Sequence, residues 1–101
     1  MKVMVQSVNF NADKDLVSFV NEKLDSLERF YDRVVDAEVF LKVQKTSEKE
    51  NKITEIKMNI PGSELMVKKQ SKTFEEGVVL CVDSLKRQLL KSKEKSRSHQ
   101  V

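Results

Sequence analysis

Residues 53–69 read ITEIKMNIPGSELMVKK. Ile56, Met58 and Ile60 recur two apart, which sends them to one side of an extended chain. Pro61 and Gly62 then interrupt the pattern. Proline presets the first central position of a tight turn over residues 60–63, and glycine accepts the positive φ of the next. Leu65 and Val67 resume the alternation. The stretch is two strands joined by a turn, with one apolar side and one mixed side, to which Lys57, Met66 and Lys68 fall. Such a sheet needs a layer to cover its apolar side.

Working outward supplies that layer. Upstream, DAEVFLKVQ (36–44) alternates in the same way, with Ala37, Val39, Leu41 and Val43 facing one side and Glu38, Phe40, Lys42 and Gln44 the other. KVMVQSV (2–8) reads as a further strand, with Val3 and Val5 in step. Between them, Asp13 is placed to cap a helix, with Asp15 in its first turn. From Lys14 to Tyr31 the apolar residues Leu16, Val17, Phe19, Val20, Leu24, Leu27, Phe30 and Tyr31 form one stripe about 160° wide at helical spacing, and Lys23 falls inside it. Downstream, Thr73 and Glu76 form a capping box. It opens a helix expected to run to about Lys95, roughly 35 Å at the helical rise. Phe74, Val78, Cys81, Val82, Leu85 and Leu89 make its inward stripe. Val79, Leu80 and Leu90 lie off that stripe, either against the first helix or exposed. The order β-α-β-β-β-α predicts an α+β fold, a four-stranded sheet with two helices on one face. The other face, carrying Phe40, Lys42, Lys57, Met66 and Lys68, is left to solvent or a partner. A single binding domain is expected over residues 1–95, with a flexible basic tail at 96–101.

The 101-residue length suits one core, and 39% hydrophobic with 35% charged residues describes a compact, charge-rich domain. The start MKVMVQSVNF alternates and has no long apolar segment, so no secretory signal is expected. No apolar run approaches the ~18–20 residues of a membrane span. The lone Cys81 forms no intrachain disulfide and agrees with a reducing cytosol. Catalysis finds little support. The single histidine, His99, sits near the terminus, and Cys81 lies on the buried stripe. No CxxC, paired-histidine, GxxxxGK or GxGxxG pattern occurs, so neither a metal nor a cofactor is expected, and no enzyme activity.

Charge is the informative feature. Residues 1–67 carry a net −2, whereas residues 68–101 carry +5. Lys86, Arg87, Lys91, Lys93, Lys95 and Arg97 fall within twelve positions that hold one acid, Glu94. Helix-dipole complementarity accounts for two or three cations at a helix end, not six. In projection Lys86, Lys93 and Arg97 share one flank of the inward stripe, while Arg87 and Lys91 occupy the other. Lys68, Lys69 and Lys72 lie at the helix's opposite end. Together these residues can track a phosphate backbone, a contact that gives affinity and position but little sequence discrimination. Closely spaced phosphates of a folded RNA fit this arrangement, and duplex DNA or an acidic protein fits nearly as well.

Three motifs in order resemble one family. LERFYDRV (27–34), VFLKVQK (39–45) and DSLKRQLLKSKEK (83–95) are similar to the ribosome hibernation-promoting factors, also known as ribosome-associated inhibitors or sigma-54 modulation proteins. The matching residues are Leu27, Glu28, Phe30, Tyr31, Asp32 and Arg33, then Leu41, Lys42 and Val43, then Asp83, Leu85, Arg87, Gln88, Leu89, Lys91 and Lys93. The resemblance covers nearly the whole chain and implies the same β-α-β-β-β-α fold, akin to double-stranded-RNA-binding domains. It implies binding to the small ribosomal subunit in the channel of messenger and transfer RNA, and inhibition of translation under stress or in stationary phase. Promotion of inactive ribosome dimers is a further implication, as are a cytoplasmic location and a monomeric state off the ribosome. By position, Lys23, Arg87, Lys91 and Lys93 are the RNA-contact candidates, although Lys23 also suits a lysine whose stem lies along the stripe edge. Lys86 joins them on charge alone. Relatives open the second helix with an Asp, then Met-Tyr and a later Ile-Asp. Here Thr73 opens it, Glu75 stands for the Tyr and Val79 for the Asp. The first helix is acidic, with six acids against Lys14, Lys23 and Arg29 over residues 13–32, so it should contribute less to RNA binding. The resemblance points to the short form of the family. A protein-interaction module working through the open sheet face, for transcription-factor modulation or self-association, is the alternative function. General nucleic-acid chaperoning is a third.

Overall fold

The computed structural model describes residues 1–45, 47 and 49–98, with side chains in the last helix as far as Lys93. The elements are β1 (Lys2–Val8), α1 (Lys14–Phe30), β2 (Asp36–Val43), β3 (Lys52–Ile60), β4 (Ser63–Ser71) and α2 (Phe74–Ser98). The strands lie in chain order in one sheet, with β1 parallel to β2 and the other pairs antiparallel. Parallel pairing demands a crossover, and α1 supplies it. The expected β-α-β-β-β-α fold is the one observed.

The turn between β3 and β4 sets the register. Gly62 has φ 78°, the conformation its neighbours in sequence resist. Ile60 then faces Ser63, Met58 faces Leu65 and Ile56 faces Val67. A slip of β4 by one residue would turn Leu65 and Val67 to solvent while Ile56, Met58 and Ile60 stay inward, so burial fixes the pairing. At α1, the Asp13 carboxylate accepts from the Leu16 amide at 2.8 Å. At the far end, the Tyr31 amide donates to the Leu27 carbonyl at 2.8 Å. Leu16, Val20, Leu24 and Leu27 are the buried face of that helix. Thr73 Oγ1 accepts from the Glu76 amide at 3.2 Å and starts α2. All six residues of the expected α2 stripe are buried. The helix continues three residues past Lys95, because nothing between 91 and 98 is a Gly or Pro that would stop it.

Two features of the α2–sheet contact escape the periodicity. A Cβ on Gly77 would run into Thr54 Oγ1 and lie 2.8 Å from Ser71 Oγ. Only glycine lets the first turns of α2 settle this closely on β3 and β4. Cys81 is fully buried beside them, and its thiol donates to the Thr54 carbonyl at 3.5 Å. Burial pushes that thiol up to about 12. Phe10, in the connection before α1, stacks on Phe74 with 4.7 Å between ring centres, which ties the start of α2 to that connection.

Candidate functional site

The outer half of α2 is built by subtraction. Its inner half holds Phe74, Val78, Cys81, Val82, Leu85 and Leu89 against the sheet and α1. What remains faces outward: Val79, Leu80, Asp83, Lys86, Arg87, Leu90 and Lys91, all exposed. The three apolar residues with an open sequence assignment are therefore exposed rather than packed on α1, at 38% for Val79, 40% for Leu80 and 46% for Leu90.

The two flanks of α2 behave differently. Lys86 and Lys93 are seven residues apart, two helical turns, and point the same way. On their side lies Phe30, the last residue of α1. Lys86 Nζ stands 5.2 Å and Lys93 Nζ 4.6 Å from the centre of its ring. Lys93 Nζ also donates to the Phe30 carbonyl oxygen at 3.0 Å. That carbonyl belongs to the last turn of α1, where acceptors lack intrahelical partners and a cation complements the dipole. Arg87 stands further round the outer face, next to Lys86 in sequence and in space. It shares a shallow groove of about 520 Å³ with Lys69, Leu80, Asp83, Lys86, Leu90 and Phe30. Lys91 is exposed one turn beyond Arg87.

The remaining sequence candidates separate by face. Lys69 is on the helix-facing side of β4, half-buried, and joins the groove. Lys72 is exposed in the turn that leads into α2. Lys68 follows the alternation to the opposite face, across from Glu55 and beside Met66, so it is not continuous with the α2 cations. Lys23 sits half-buried on α1 with its ammonium 5.4 Å from the centre of the Phe19 ring. The side chains of Lys95 and Arg97 lie outside the described residues, as do residues 99–101 of the expected tail. The structure thus brings together Lys69, Lys86, Arg87 and Lys93, with Lys72 and Lys91 at either end.

Ion pairing separates the two faces of the molecule. Among the described residues, ion pairs join the N-terminus to Glu28, Lys42 to Glu55 at 3.9 Å, and Lys57 to Glu64 at 3.5 Å. The last two neutralise cations on the open sheet face. None engages Lys69, Lys72, Lys86, Arg87, Lys91 or Lys93. Among the described residues these six cations make no ion pair, and the one carboxylate lining the groove, Asp83, stands against Lys69, Lys86 and Arg87, so the field stays positive and attracts polyanions. Among the described residues no group of His, Cys, Asp and Glu is arranged to hold a metal, and no helix is long and apolar enough to cross a membrane.

Phe30 has a second role that sequence reasoning missed. It ends the apolar stripe of α1 and packs half-buried against the core, and its ring also carries two lysines. The shared flank of Lys86 and Lys93 is visible in their spacing. Nothing local connects that flank to a ring more than fifty positions earlier.

Comparison with known proteins gives the same picture over nearly the whole length. The profile of the family described as sigma 54 modulation protein / S30EA ribosomal protein matches residues 3–97. A ribosome hibernation promoting factor of Azotobacter vinelandii is 29% identical over 100 residues, covering 99% of this chain and 90% of that protein. One of Pseudomonas putida is 30% identical over 98 residues, covering 97% and 92%. Among solved structures, a ribosomal subunit interface protein from Coxiella burnetii superposes with a TM-score of 0.82 at 20% identity, over 93% of this chain and 99% of that one. The Thermus thermophilus Protein Y N-terminal domain gives 0.73 at 24% identity, over 87% and 94%. Fold and sequence agree along the entire β-α-β-β-β-α unit: the chain belongs to the sigma 54 modulation protein / S30EA ribosomal protein family.

Proposed function

We propose that this chain is a non-catalytic ribosome hibernation factor that binds the small ribosomal subunit through the outer face of α2. The family is ribosome-associated, and relatives similar over nearly the whole chain are named as hibernation promoting factors. The observation that carries the reading is electrostatic. Lys69, Lys72, Lys86, Arg87, Lys91 and Lys93 surround one helix with no carboxylate paired to them among the described residues. Ribosomal RNA in the channel of messenger and transfer RNA supplies the matching phosphates. Occupying that channel blocks translation under stress without any chemical step. The acting unit is residues 1–95, cytoplasmic and monomeric off the ribosome. The test is a sucrose gradient of ribosomes with added protein, run beside an in vitro translation assay. Comigration with small subunits together with a dose-dependent fall in synthesis supports the reading, and comigration with large subunits alone refutes it.

A second reading, docking of a protein on the open sheet face, draws on Met4 and Met66, which are 49% and 55% exposed there. The paired cations of that face suit a protein surface better than RNA. Met66→Lys that blocks hibernation while Arg87→Gln does not would favour this reading.

A further inference from the structure

Phe30 ends α1 half-buried, and two ammonium groups of α2 lie over its ring, 5.2 and 4.6 Å from its centre. A leucine there would fill much of the same space but would lack the negative ring face that attracts a cation. Two like charges gathered at one ring repel each other. No carboxylate forms an ion pair with either among the described residues. The attraction that offsets the repulsion comes from the ring and from the Phe30 carbonyl, at the negative end of α1. An ammonium has three donors. Lys93 commits one to that carbonyl at 3.0 Å and keeps two for another acceptor. Lysine is a long, flexible side chain, and freezing it at the moment of binding costs affinity unless the fold has ordered it beforehand.

We propose that Phe30 is a positioning residue: its ring holds Lys86 and Lys93 at the junction of α1 and α2, ordered in advance to meet the phosphates of the bound RNA. The inference rests on the hibernation reading for the identity of the polyanion, and on the geometry of the ring for everything else. Phe30 itself touches no phosphate. It acts through the two lysines, and its replacement is felt only while they are present.

The experiment measures binding of the full chain to purified bacterial small ribosomal subunits. Phe30→Leu is expected to weaken binding by roughly tenfold, the loss that follows when two lysines must be ordered on contact. Phe30→Tyr, which keeps the ring, restores the wild-type affinity. In a Lys86→Gln/Lys93→Gln background, Phe30→Leu changes affinity by less than about twofold, the signature of residues acting as one unit. Phe30→Leu binding as tightly as wild type, or losing as much in the glutamine background, overturns the inference. If Phe30→Leu does not fold, NMR of the free wild-type chain decides instead. Ring-current shifts on the side-chain methylenes of Lys86 and Lys93 support the role, and ordinary lysine shifts overturn it. A wild-type chain that binds no small subunit refutes the hibernation reading, and the ring-current shifts then still report whether Phe30 orders the lysines.

Discussion

Replacing both Arg87 and Lys91 by glutamine removes two positive charges from the outer face of α2 without touching its core. Both side chains are exposed, and neither takes part in an ion pair among the described residues. Folding stability should therefore stay within about 0.5 kcal/mol of wild type. Binding should not. Six cations without an ion-pair partner among the described residues surround α2, and each phosphate neutralised contributes about 0.7–0.9 to the dependence of log K on log salt. If all six engage, the wild-type slope is about −4 to −5. Removing two makes it shallower by about 1.4–1.8, which at 0.1 M salt corresponds to roughly 25- to 60-fold weaker binding relative to the 1 M limit. The assay is cosedimentation with small subunits over a series of salt concentrations, with a urea melt of each variant as the folding control. An unchanged slope would refute the assignment of these two residues to phosphate. So would an affinity loss that is the same at every salt concentration, because lost packing, unlike lost charge, is not screened.

Lys68 provides the contrasting case. It faces away from α2 on the open side of the sheet, so Lys68→Gln should leave the salt slope of subunit binding within error of wild type; a decrease of about one would place RNA on both faces. Gly77→Ala brings a methyl group against Thr54 Oγ1 and Ser71 Oγ. Overpacking of this kind costs about 1–3 kcal/mol and exceeds the ~1 kcal/mol helix-propensity gain of alanine, so the urea midpoint should fall. A midpoint at or above wild type would show that α2 can shift away without loss. Cys81 should resist thiol reagents in the native protein at pH 8 and react on unfolding. Its thiol is raised from 9.0 to about 12 by burial, partly countered by the charge and backbone of Lys69. The folded state therefore holds the proton more firmly, and this contribution is complete below pH 9 and is lost as the pH rises toward 12. Between pH 9 and 10 the wild type should lose up to about 1 kcal/mol more stability than Cys81→Ala, measured by urea unfolding at each pH.

How much of this was legible depends on whether a signal is local. The alternation through Ile56, Met58, Ile60, Leu65 and Val67, broken by Pro61-Gly62, specifies a hairpin with a known inward side, and the register follows it residue for residue. The same alternation sends Lys68 outward and Lys69 inward. Their grouping at the end of α2 followed sequence proximity, whereas a sheet separates adjacent residues by its full thickness. Helix spacing likewise identified the α2 stripe and the two cationic flanks. What it could not supply was the neighbour on each flank. A helix laid on a sheet has two sides that the 3.6-residue period treats alike, and only the position of α1 makes them unequal. Lys86 and Lys93 meet the Phe30 ring and are ordered by it, whereas Arg87, further round the groove that Phe30 also lines, makes no ring contact among the described residues. Gly77 was hidden for a related reason: a glycine early in a helix carries no periodic signal, and its need appears only where Thr54 and Ser71 come up beneath it. In this fold the sequence pattern therefore gives the charge on α2, and the packing of α1 decides which of those charges are fixed in advance and which are ordered only on contact. Phe30→Leu should abolish that inequality while leaving the net charge of the helix unchanged.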